Sequence, residues 1–199
     1  MNLKYLGDAM DFWKGGVIYR IKKWGFNLKV LPCFTNAPPM WKPPSAYLNL
    51  YCKILNISVP DILNPSSQFP TSPRADYFNN LPTDDLFIDP DTGIHIGSKP
   101  QKTHISTSDL NTLLKIKEER LLFVYQHSSR SKKYLNKTVK AVSKSKDLPG
   151  VNAFGYYAGS VSLVVLSKDK NRLNKIKTLF AKWLQPVANK YASFPGRII

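Results

Sequence analysis

The sequence predicts an α/β domain spanning residues 1–199, in which helices flank a mostly parallel central sheet that ends in an antiparallel C-terminal hairpin. Short, continuously apolar runs at 86–88 and 121–124 are typical of parallel strands buried on both faces. Amphipathic segments of helical length lie between such runs. Near the C-terminus, two β-type runs at 152–157 and 160–166 are separated by only two residues, which is typical of a hairpin.

The net charge of +16 is unevenly distributed along the chain. Residues 131–199 contain fourteen Lys and Arg residues against two Asp residues, so that +12 of the charge lies in the last third. A positive field of this size attracts polyanions, because counterions are released when they bind. The charge pattern therefore favours a nucleic acid, DNA or RNA, as the partner, and the alternative is a surface of solvated lysines.

Several features bear on the location of the protein. No run approaches the roughly 18 apolar residues of a membrane span, and the N-terminal residues lack the apolar core of a signal peptide. Cys33 and Cys52 lie in apolar contexts without metal-ligand spacing, which favours buried free thiols in a reducing compartment. These features predict a cytoplasmic protein with no membrane partner, and they indicate nothing about protein partners.

The first predicted element is a helix that begins after Gly7 and has Phe12 among the residues of its apolar face. Asp8, Asp11 and Lys14 are spaced three residues apart, so their side chains lie about one turn from each other and can meet in one pocket. The alternative is structural. In that case Asp8 caps the helix, where the helix dipole stabilises its negative charge, and Lys14 is solvated.

The next segment is predicted to contain the first strand at 27–34, a short helix at 46–55 and another at 74–81. Proline-rich loops separate these elements, because proline cannot continue a helix. Trp41 lies in the first of these loops. It is interpreted either as an apolar plug or as a platform on which a base stacks.

The central strand at 86–88 stops at an acidic tight turn that contains Asp89, Asp91 and Gly93. A helix follows, and the second buried strand at 120–127 ends in His127, with Arg130 three residues beyond it. Parallel strands joined by a crossover end at the same edge of the sheet, where ligands bind in open α/β folds. We therefore expect these polar side chains to lie together.

The C-terminal third is predicted to contain a basic helix at 132–146, the hairpin, and a last helix that starts at Ser167. In the basic helix, Leu135, Val139 and Val142 are expected to face the core. The side chains predicted to contact nucleic acid are Lys133, Lys137, Lys140 and Lys144 of the basic helix, and Arg172 and Lys175 of the last helix.

The acidic turn, Asp89-Pro90-Asp91-Thr92-Gly93, resembles the Asp-Pro-Pro-type motif of nucleic-acid amino-methyltransferases. The closing order of strand, helix, hairpin and helix resembles the C-terminal half of class I methyltransferase folds. Together with Gly7-Asp8, Asp11 and Lys14, and with Tyr125-Gln126-His127 and Arg130, the chain resembles a family of bacterial proteins of unassigned activity related to that fold. The resemblance implies a Rossmann or methyltransferase-like fold.

A methyltransferase cofactor loop is missing from this pattern. Such enzymes bind S-adenosylmethionine through a glycine-rich loop after the first strand, because glycine lets the backbone approach the ligand closely. Residues 32–39 contain no glycine, and the place of a stacking aromatic in the acidic turn is taken by Asp91 and Thr92. S-adenosylmethionine is therefore the less favoured cofactor.

The carboxylates instead favour a magnesium ion, which prefers a few carboxylates together with waters and phosphate oxygens. We expect Asp8, Asp89 and Asp91 to hold this ion, His127 to act as general acid or base, and Lys14 and Arg130 to neutralise charge on a phosphoryl group. Alternatively, Asp89 caps a turn, Asp91 is solvated, and His127 is a satisfied strand-end histidine.

The leading hypothesis is thus a divalent-metal-dependent nuclease with an acidic site at a strand end and a basic binding surface. The first alternative is an S-adenosylmethionine-dependent nucleic-acid methyltransferase. The second is a non-catalytic binding module, in which the basic helices contact phosphates and Trp41, Tyr156 or Tyr157 stack on bases.

Overall fold

The computed structural model describes residues 6–35, 45–71, 74–96, 101–127, 134–159, 161–190 and 196–199. Trp41, Arg130 and Lys133 lie outside the described residues. The helices are α1 (Ala9–Lys23), α2 (Ala46–Leu55), α3 (Ala75–Asn79), α4 (Thr107–Ile116), α5 (Tyr134–Lys146) and α6 (Lys170–Lys190). The strands are β1 (Leu28–Leu31), β2 (Asp85–Ile88), β3 (Gly93–Ile94), β4 (His104–Ile105), β5 (Leu122–His127), β6 (Asn152–Ala158), β7 (Val161–Ser167) and β8 (Gly196–Ile198).

The central sheet has six strands in the order β1-β2-β5-β7-β6-β8, and β3 pairs with β4 in a separate small sheet. The predicted α/β class is confirmed. The expectation of a mostly parallel sheet is wrong: β1, β2 and β5 are parallel, but the remaining three pairs are antiparallel. The sheet is mixed because β7 of the hairpin pairs directly with β5, and the short β8 adds a further antiparallel edge.

Helices cover both faces of the central sheet. On one face, α1, α2 and α6 pack against strand residues such as Phe87 and Phe123. On the other face, α3, α4 and α5 pack against the alternate strand residues, among them Ile88 and Val124. Successive residues of a strand point to opposite faces, so strands covered on both sides are apolar throughout. None of the helices among the described residues has the length and apolar character needed to cross a membrane.

Three details of the helices differ from the prediction. Phe12 is 61% exposed and Val139 is 42% exposed, although both were expected in the core. In α5 a hydrogen-bonded polar residue, Thr138, takes the inward position instead, with its Oγ1 2.8 Å from Ser162 Oγ. The last helix begins at Lys170 rather than near Ser167, because Asp169 Oδ1 accepts the Arg172 N–H and so caps the helix.

Candidate active site

A cleft of about 380 Å³ lies where the carboxyl ends of β2 and β5 meet the N-terminus of α1. The structure brings together six side chains that the sequence singled out. Three of them lie at one edge of the sheet because parallel strands end there, namely Asp89, Asp91 and His127. The other three come from the start of α1, namely Asp8, Asp11 and Lys14. The lining residues are Asp8, Met10, Asp11, Lys14, Asp89, Pro90, Asp91, Thr92, Tyr125 and His127.

A buried ion cluster forms the inner wall of the cleft. Lys14 Nζ lies 2.9 Å from Asp11 Oδ1 and 2.9 Å from each carboxylate oxygen of Asp89. Tyr51 of α2 donates its hydroxyl hydrogen to Asp89 Oδ2 at 3.1 Å, and Lys14 Nζ lies 4.3 Å from the ring centroid of Tyr125. Lys14 is 5% exposed and Asp89 is 1% exposed. The alternative that Lys14 is solvated is therefore wrong.

The cluster keeps its lysine charged. Burial lowers the pKa of Lys14, but the carboxylates of Asp89 and Asp11 more than compensate, so that its pKa lies above the ordinary value. Burial raises the pKa of Asp11, and Lys14 opposes this effect only in part. Burial, followed by the charge of Asp89, also raises the pKa of Tyr51, so its hydroxyl remains a hydrogen-bond donor at neutral pH.

The two other predicted metal ligands are more accessible than Asp89. Asp8 is exposed, and its Oδ1 caps α1 by accepting the Met10 and Asp11 N–H groups at 2.8 and 3.1 Å. Asp91 is half-buried. Among the described residues, no three His, Cys, Asp or Glu side chains are grouped so that they could hold a metal ion. A cation bound at Asp89 would displace Lys14, so the expected ligand set of Asp8, Asp89 and Asp91 is not preassembled.

His127 stands at the end of β5 with its Nδ1 3.2 Å from the hydroxyl of Tyr125. Burial, followed by the charge of Lys14, lowers the pKa of His127, and Asp91 opposes this effect. Burial raises the pKa of Tyr125, so the phenol stays protonated next to the imidazole. A neutral, oriented imidazole at the wall of a cleft is equipped to accept a proton.

Gln126 fixes the acidic turn, a role that the sequence did not reveal. Its side-chain Oε1 accepts the Ile94 N–H at 2.9 Å, and its Nε2 donates to the Thr92 carbonyl at 3.1 Å. Between these two residues, Gly93 has a φ of +109°, and a Cβ there would lie 2.4 Å from the Gln126 amide. The glycine after the acidic turn was the only signal, since it indicates a close approach of another group.

Tyr51 reaches Asp89 because α1 and α2 approach each other closely at Gly15. A Cβ at Gly15 would lie 2.1 Å from the carbonyl oxygen of Ile54, one turn beyond Tyr51 on α2. A glycine inside a helix costs about 1 kcal/mol relative to alanine, so it suggests a packing requirement. The Gly15-Gly16 pair was therefore the available signal for this contact.

The predicted nucleic-acid-binding residues fall into two separate groups. Lys137, Lys140 and Lys144 are exposed on α5. The charge of Lys137 contributes to lowering the pKa of His127, so this end of α5 is near the cleft. Arg130 and Lys133 lie in the undescribed segment between β5 and α5.

Arg172 and Lys175, by contrast, lie at the opposite end of the sheet. Arg172 Nη2 is 2.7 Å from Asp85 Oδ2 at the start of β2, and Nη1 donates to the Glu119 carbonyl at 2.7 Å. Lys175 Nζ is 5.8 Å from the ring centroid of Phe26, which precedes β1. The structure does not bring these two residues to the cleft, and the main partners of Arg172 belong to the fold.

Comparison of this chain with protein-family models, curated proteins and solved structures finds no match, so the chemistry of the cleft rests on its own residues.

Proposed function

We propose that this protein is a divalent-metal-dependent nuclease that acts on DNA or RNA at this cleft. The observation that supports the proposal is an acidic cleft on a basic protein: four carboxylates and one ammonium line it, giving a formal charge of −3, whereas the chain carries +16. Such a cleft repels a phosphodiester unless a cation lies between them. Mg²⁺ is bound by one or two carboxylates together with waters and phosphate oxygens, which suits this arrangement.

Each residue of the cleft has a role in this proposal. Asp91 and Asp8 offer the accessible carboxylates for the metal ion, which would neutralise charge on the phosphate oxygens. Asp89 holds Lys14 and positions the end of β2. His127 removes a proton from the attacking water as a new bond to phosphorus forms and the bond to the leaving sugar oxygen breaks. Arg130 remains the proposed residue that neutralises phosphoryl charge from the undescribed segment.

The basic surface of α5 supports a nucleic acid as the substrate. Lys137, Lys140 and Lys144 are three or four residues apart, so their side chains lie along one side of the helix. They span about 10 Å, which is enough to contact two or three successive phosphates. Lys133, which shares this spacing, extends the proposed surface. A cytoplasmic location is part of the proposal, because the buried Cys33 and Cys52 form no disulfide bond with each other.

The test combines metal binding with cleavage. Calorimetric titration with MnCl₂ is expected to detect binding that Asp91→Asn abolishes. A 5′-labelled single-stranded DNA or RNA should be cleaved by the wild type in Mg²⁺, and by neither Asp91→Asn nor His127→Ala. The matched control is Lys53→Gln, an exposed residue of α2 outside the cleft lining. Cleavage that persists in excess EDTA, or in Asp91→Asn, would overturn the proposal.

A methyltransferase-like fold and activity form the second candidate. The order of β5, α5, the β6–β7 hairpin and α6 resembles the C-terminal half of class I methyltransferases, and the sulfonium of S-adenosylmethionine is a cation that suits an acidic cleft. The segment after β1 counts against it, because it lacks glycine and places Cys33 at a φ of +44°. Calorimetric binding of S-adenosylmethionine would move this candidate to first place. Nucleic-acid binding with neither metal nor cofactor would favour the non-catalytic module.

A further inference from the structure

A second groove, of about 330 Å³, lies on the edge of the central sheet at the start of β6. Asn152 pairs with Ser167, whereas His127 pairs with Val161 at the other end of β7. The seven residues of β7 place these two ends about 20 Å apart. The groove is therefore separate from the acidic cleft. It is lined by Lys146, Val151, Asn152, Ala153, Phe154, Lys170, Leu173, Asn174 and Lys177.

The lining of this edge groove is basic and amide-rich at the rim and apolar at the floor. The rim consists of Lys146 from the end of α5, Lys170 and Lys177 from α6, and two asparagines. The two α6 lysines are seven residues apart and therefore share one face of the helix with Asn174, which lies between them. The floor contains buried side chains, including those of Phe154 and Leu173. None of the described residues that line the groove is a carboxylate.

The lysines of the edge groove differ from other lysines of the protein in their ion pairing. Lys22 and Lys29 both pair with Asp61, and Lys168 pairs with Glu118. In the described part of the chain, Lys146, Lys170 and Lys177 form no ion pair with a carboxylate. Three like charges around one depression repel each other, and an anion seated between them would remove this repulsion.

The position on the sheet edge leaves room for a flat group. Of the described strands, β8 pairs with residues 156–158 of β6 and leaves residues 152–154 without a strand neighbour on that side. Amide side chains such as those of Asn152 and Asn174 offer both donors and acceptors, which match the hydrogen-bonding edges of a nucleobase. A floor of apolar side chains keeps water from the face of such a base.

We propose that the edge groove is a nucleotide-binding site, in which the three lysines hold the phosphate while the base lies over the apolar floor between the two asparagines. The ligand is either a free mononucleotide or one nucleotide of a nucleic-acid strand, since both present a phosphate next to a base. The site goes beyond the proposed nuclease activity, because it shares no residue with the cleft and requires no metal ion.

The first measurement follows the side-chain amide signals of Asn152 and Asn174 by NMR in the ¹⁵N-labelled full chain, with EDTA present. AMP and a 5′-phosphorylated ten-residue thymidine oligonucleotide are titrated separately. Saturable shifts with AMP indicate a site for free nucleotides, and shifts with the oligonucleotide alone indicate a strand site. The absence of shifts with both ligands would overturn the proposal.

The second measurement compares two variants with the same change in charge. The triple variant Lys146→Gln, Lys170→Gln, Lys177→Gln should bind the ligand at least 10-fold more weakly. The slope of log affinity against log salt for the oligonucleotide should be shallower by about 0.7, as expected when one phosphate of a single strand is no longer neutralised. The control Lys53→Gln, Lys115→Gln, Lys182→Gln changes exposed lysines elsewhere and should bind within twofold of the wild type.

Equal affinities of the two triple variants would contradict a site in the edge groove. The variant Asp91→Asn makes a failure of the edge-groove proposal distinguishable from a failure of the nuclease proposal. That variant should keep the Asn152 and Asn174 shifts whether or not the cleft is catalytic, since EDTA is present and Asp91 lies at the other end of the sheet. Loss of these shifts in Asp91→Asn would place the ligand in the cleft and overturn the inference.

Discussion

Strand β2 has a buried aspartate at each end, and the two ends differ in what surrounds them. Asp85 and Asp89 are 4% and 1% exposed, and each is paired with one cation. Asp85 Oδ2 is 2.7 Å from Arg172 Nη2, and its Oδ1 accepts the Leu121 N–H at 2.9 Å. Asp85 lines neither the cleft nor the edge groove, whereas Asp89 is part of the cleft wall next to Asp91.

The difference shows that burial and an ion pair do not by themselves indicate a functional site. Arg172 joins α6 to the starts of β2 and β5, so the pair at Asp85 fastens a helix to the sheet. At the Asp89 end the pair is accompanied by a cavity, by accessible carboxylates and by a half-buried histidine. These neighbours distinguish the candidate site, because chemistry needs space and groups that can exchange protons.

The largest effect should come from breaking the buried cluster at the cleft. Lys14→Met leaves two buried carboxylates without their shared cation, and we expect a loss of about 3–5 kcal/mol in the free energy of unfolding. Arg172→Met should cost less, about 1–2 kcal/mol, because Arg172 is one-third exposed and Asp85 keeps its backbone donor. Urea denaturation measures both. Equal losses in the two variants would contradict the contrast between the two ends.

A double variant provides the control for this experiment. Asp89→Asn in the Lys14→Met background removes one of the two uncompensated charges. It should therefore recover part of the lost stability, as expected for charges that interact directly. If the double variant were less stable than Lys14→Met by the full cost of Asp89→Asn alone, the two residues would not be coupled.

The next largest effect concerns the contact that brings Tyr51 to the cleft. Gly15→Ala places a methyl group against the backbone of α2, and we expect a loss of about 1–3 kcal/mol in stability. Its neighbour is the matched control: a Cβ at Gly16 has no atom within 4 Å, so Gly16→Ala should stabilise the protein by about 0.5–1 kcal/mol. Thermal and urea unfolding measure both changes, and the same sign in the two variants would contradict the proposed helix contact.

The sequence predicted the individual elements of the fold better than their pairing. The helix predicted at 46–55 is α2 with the same bounds, and the predicted hairpin is formed by β6 and β7. Local periodicity and turn residues determine such elements, so they can be read from a short window. The mixed strand order was not predicted, because strand order depends on contacts between segments that are distant in the sequence. The three residues of β8 are too few to show a periodic pattern.

The candidate site was predictable where it depends on strand ends and unpredictable where it depends on single long-range contacts. Asp89, Asp91 and His127 were expected together, because consecutive parallel strands end at one edge. Tyr51 was missed, and Gln126 was noted only in the Tyr125-Gln126-His127 motif and not as the residue that holds the turn, since both hydrogen bonds join residues more than 30 positions apart. In the sequence Tyr51 looks like an ordinary residue of a buried helix. The pairing of Asp85 with Arg172, 87 positions away, was missed for the same reason.

A pair of aspartate variants should separate the two ends of β2 functionally. Asp85→Asn weakens the bonds to Arg172 and Leu121, so we expect a loss of about 1–2 kcal/mol in stability with unchanged Mn²⁺ binding. Asp91→Asn should change stability by no more than about 0.5 kcal/mol, because Asp91 is half-buried and forms no ion pair with a described residue, yet it should abolish Mn²⁺ binding. Urea denaturation and calorimetry measure these effects. If Asp85→Asn lost Mn²⁺ binding and Asp91→Asn kept it, the metal site would lie at the Asp85 end of β2 and not in the cleft.

The smallest predicted effect is a pair of opposite shifts in the pKa of His127, read from its ring protons by NMR. Asp91 raises this pKa and Lys137 lowers it, so Asp91→Asn should lower it further and Lys137→Gln should raise it. Lys144→Gln, about two turns further along α5, is the matched control and should leave it unchanged. Shifts of the same sign in the Asp91 and Lys137 variants would show that these residues do not flank His127.

The lowered pKa also fixes the direction of the pH dependence. The folded protein binds the His127 proton less readily than the unfolded chain does. The contribution of His127 to the free energy of unfolding is therefore fully present above the unfolded pKa of about 6.5. It is lost as the pH falls through the lower pKa of the folded protein. Nuclease activity that uses neutral His127 should decrease over the same acidic range. In Lys137→Gln the acidic limb of the activity profile should move to higher pH, together with the NMR titration. An acidic limb that stayed in place while the titration moved would assign the proton transfer to another group of the cleft.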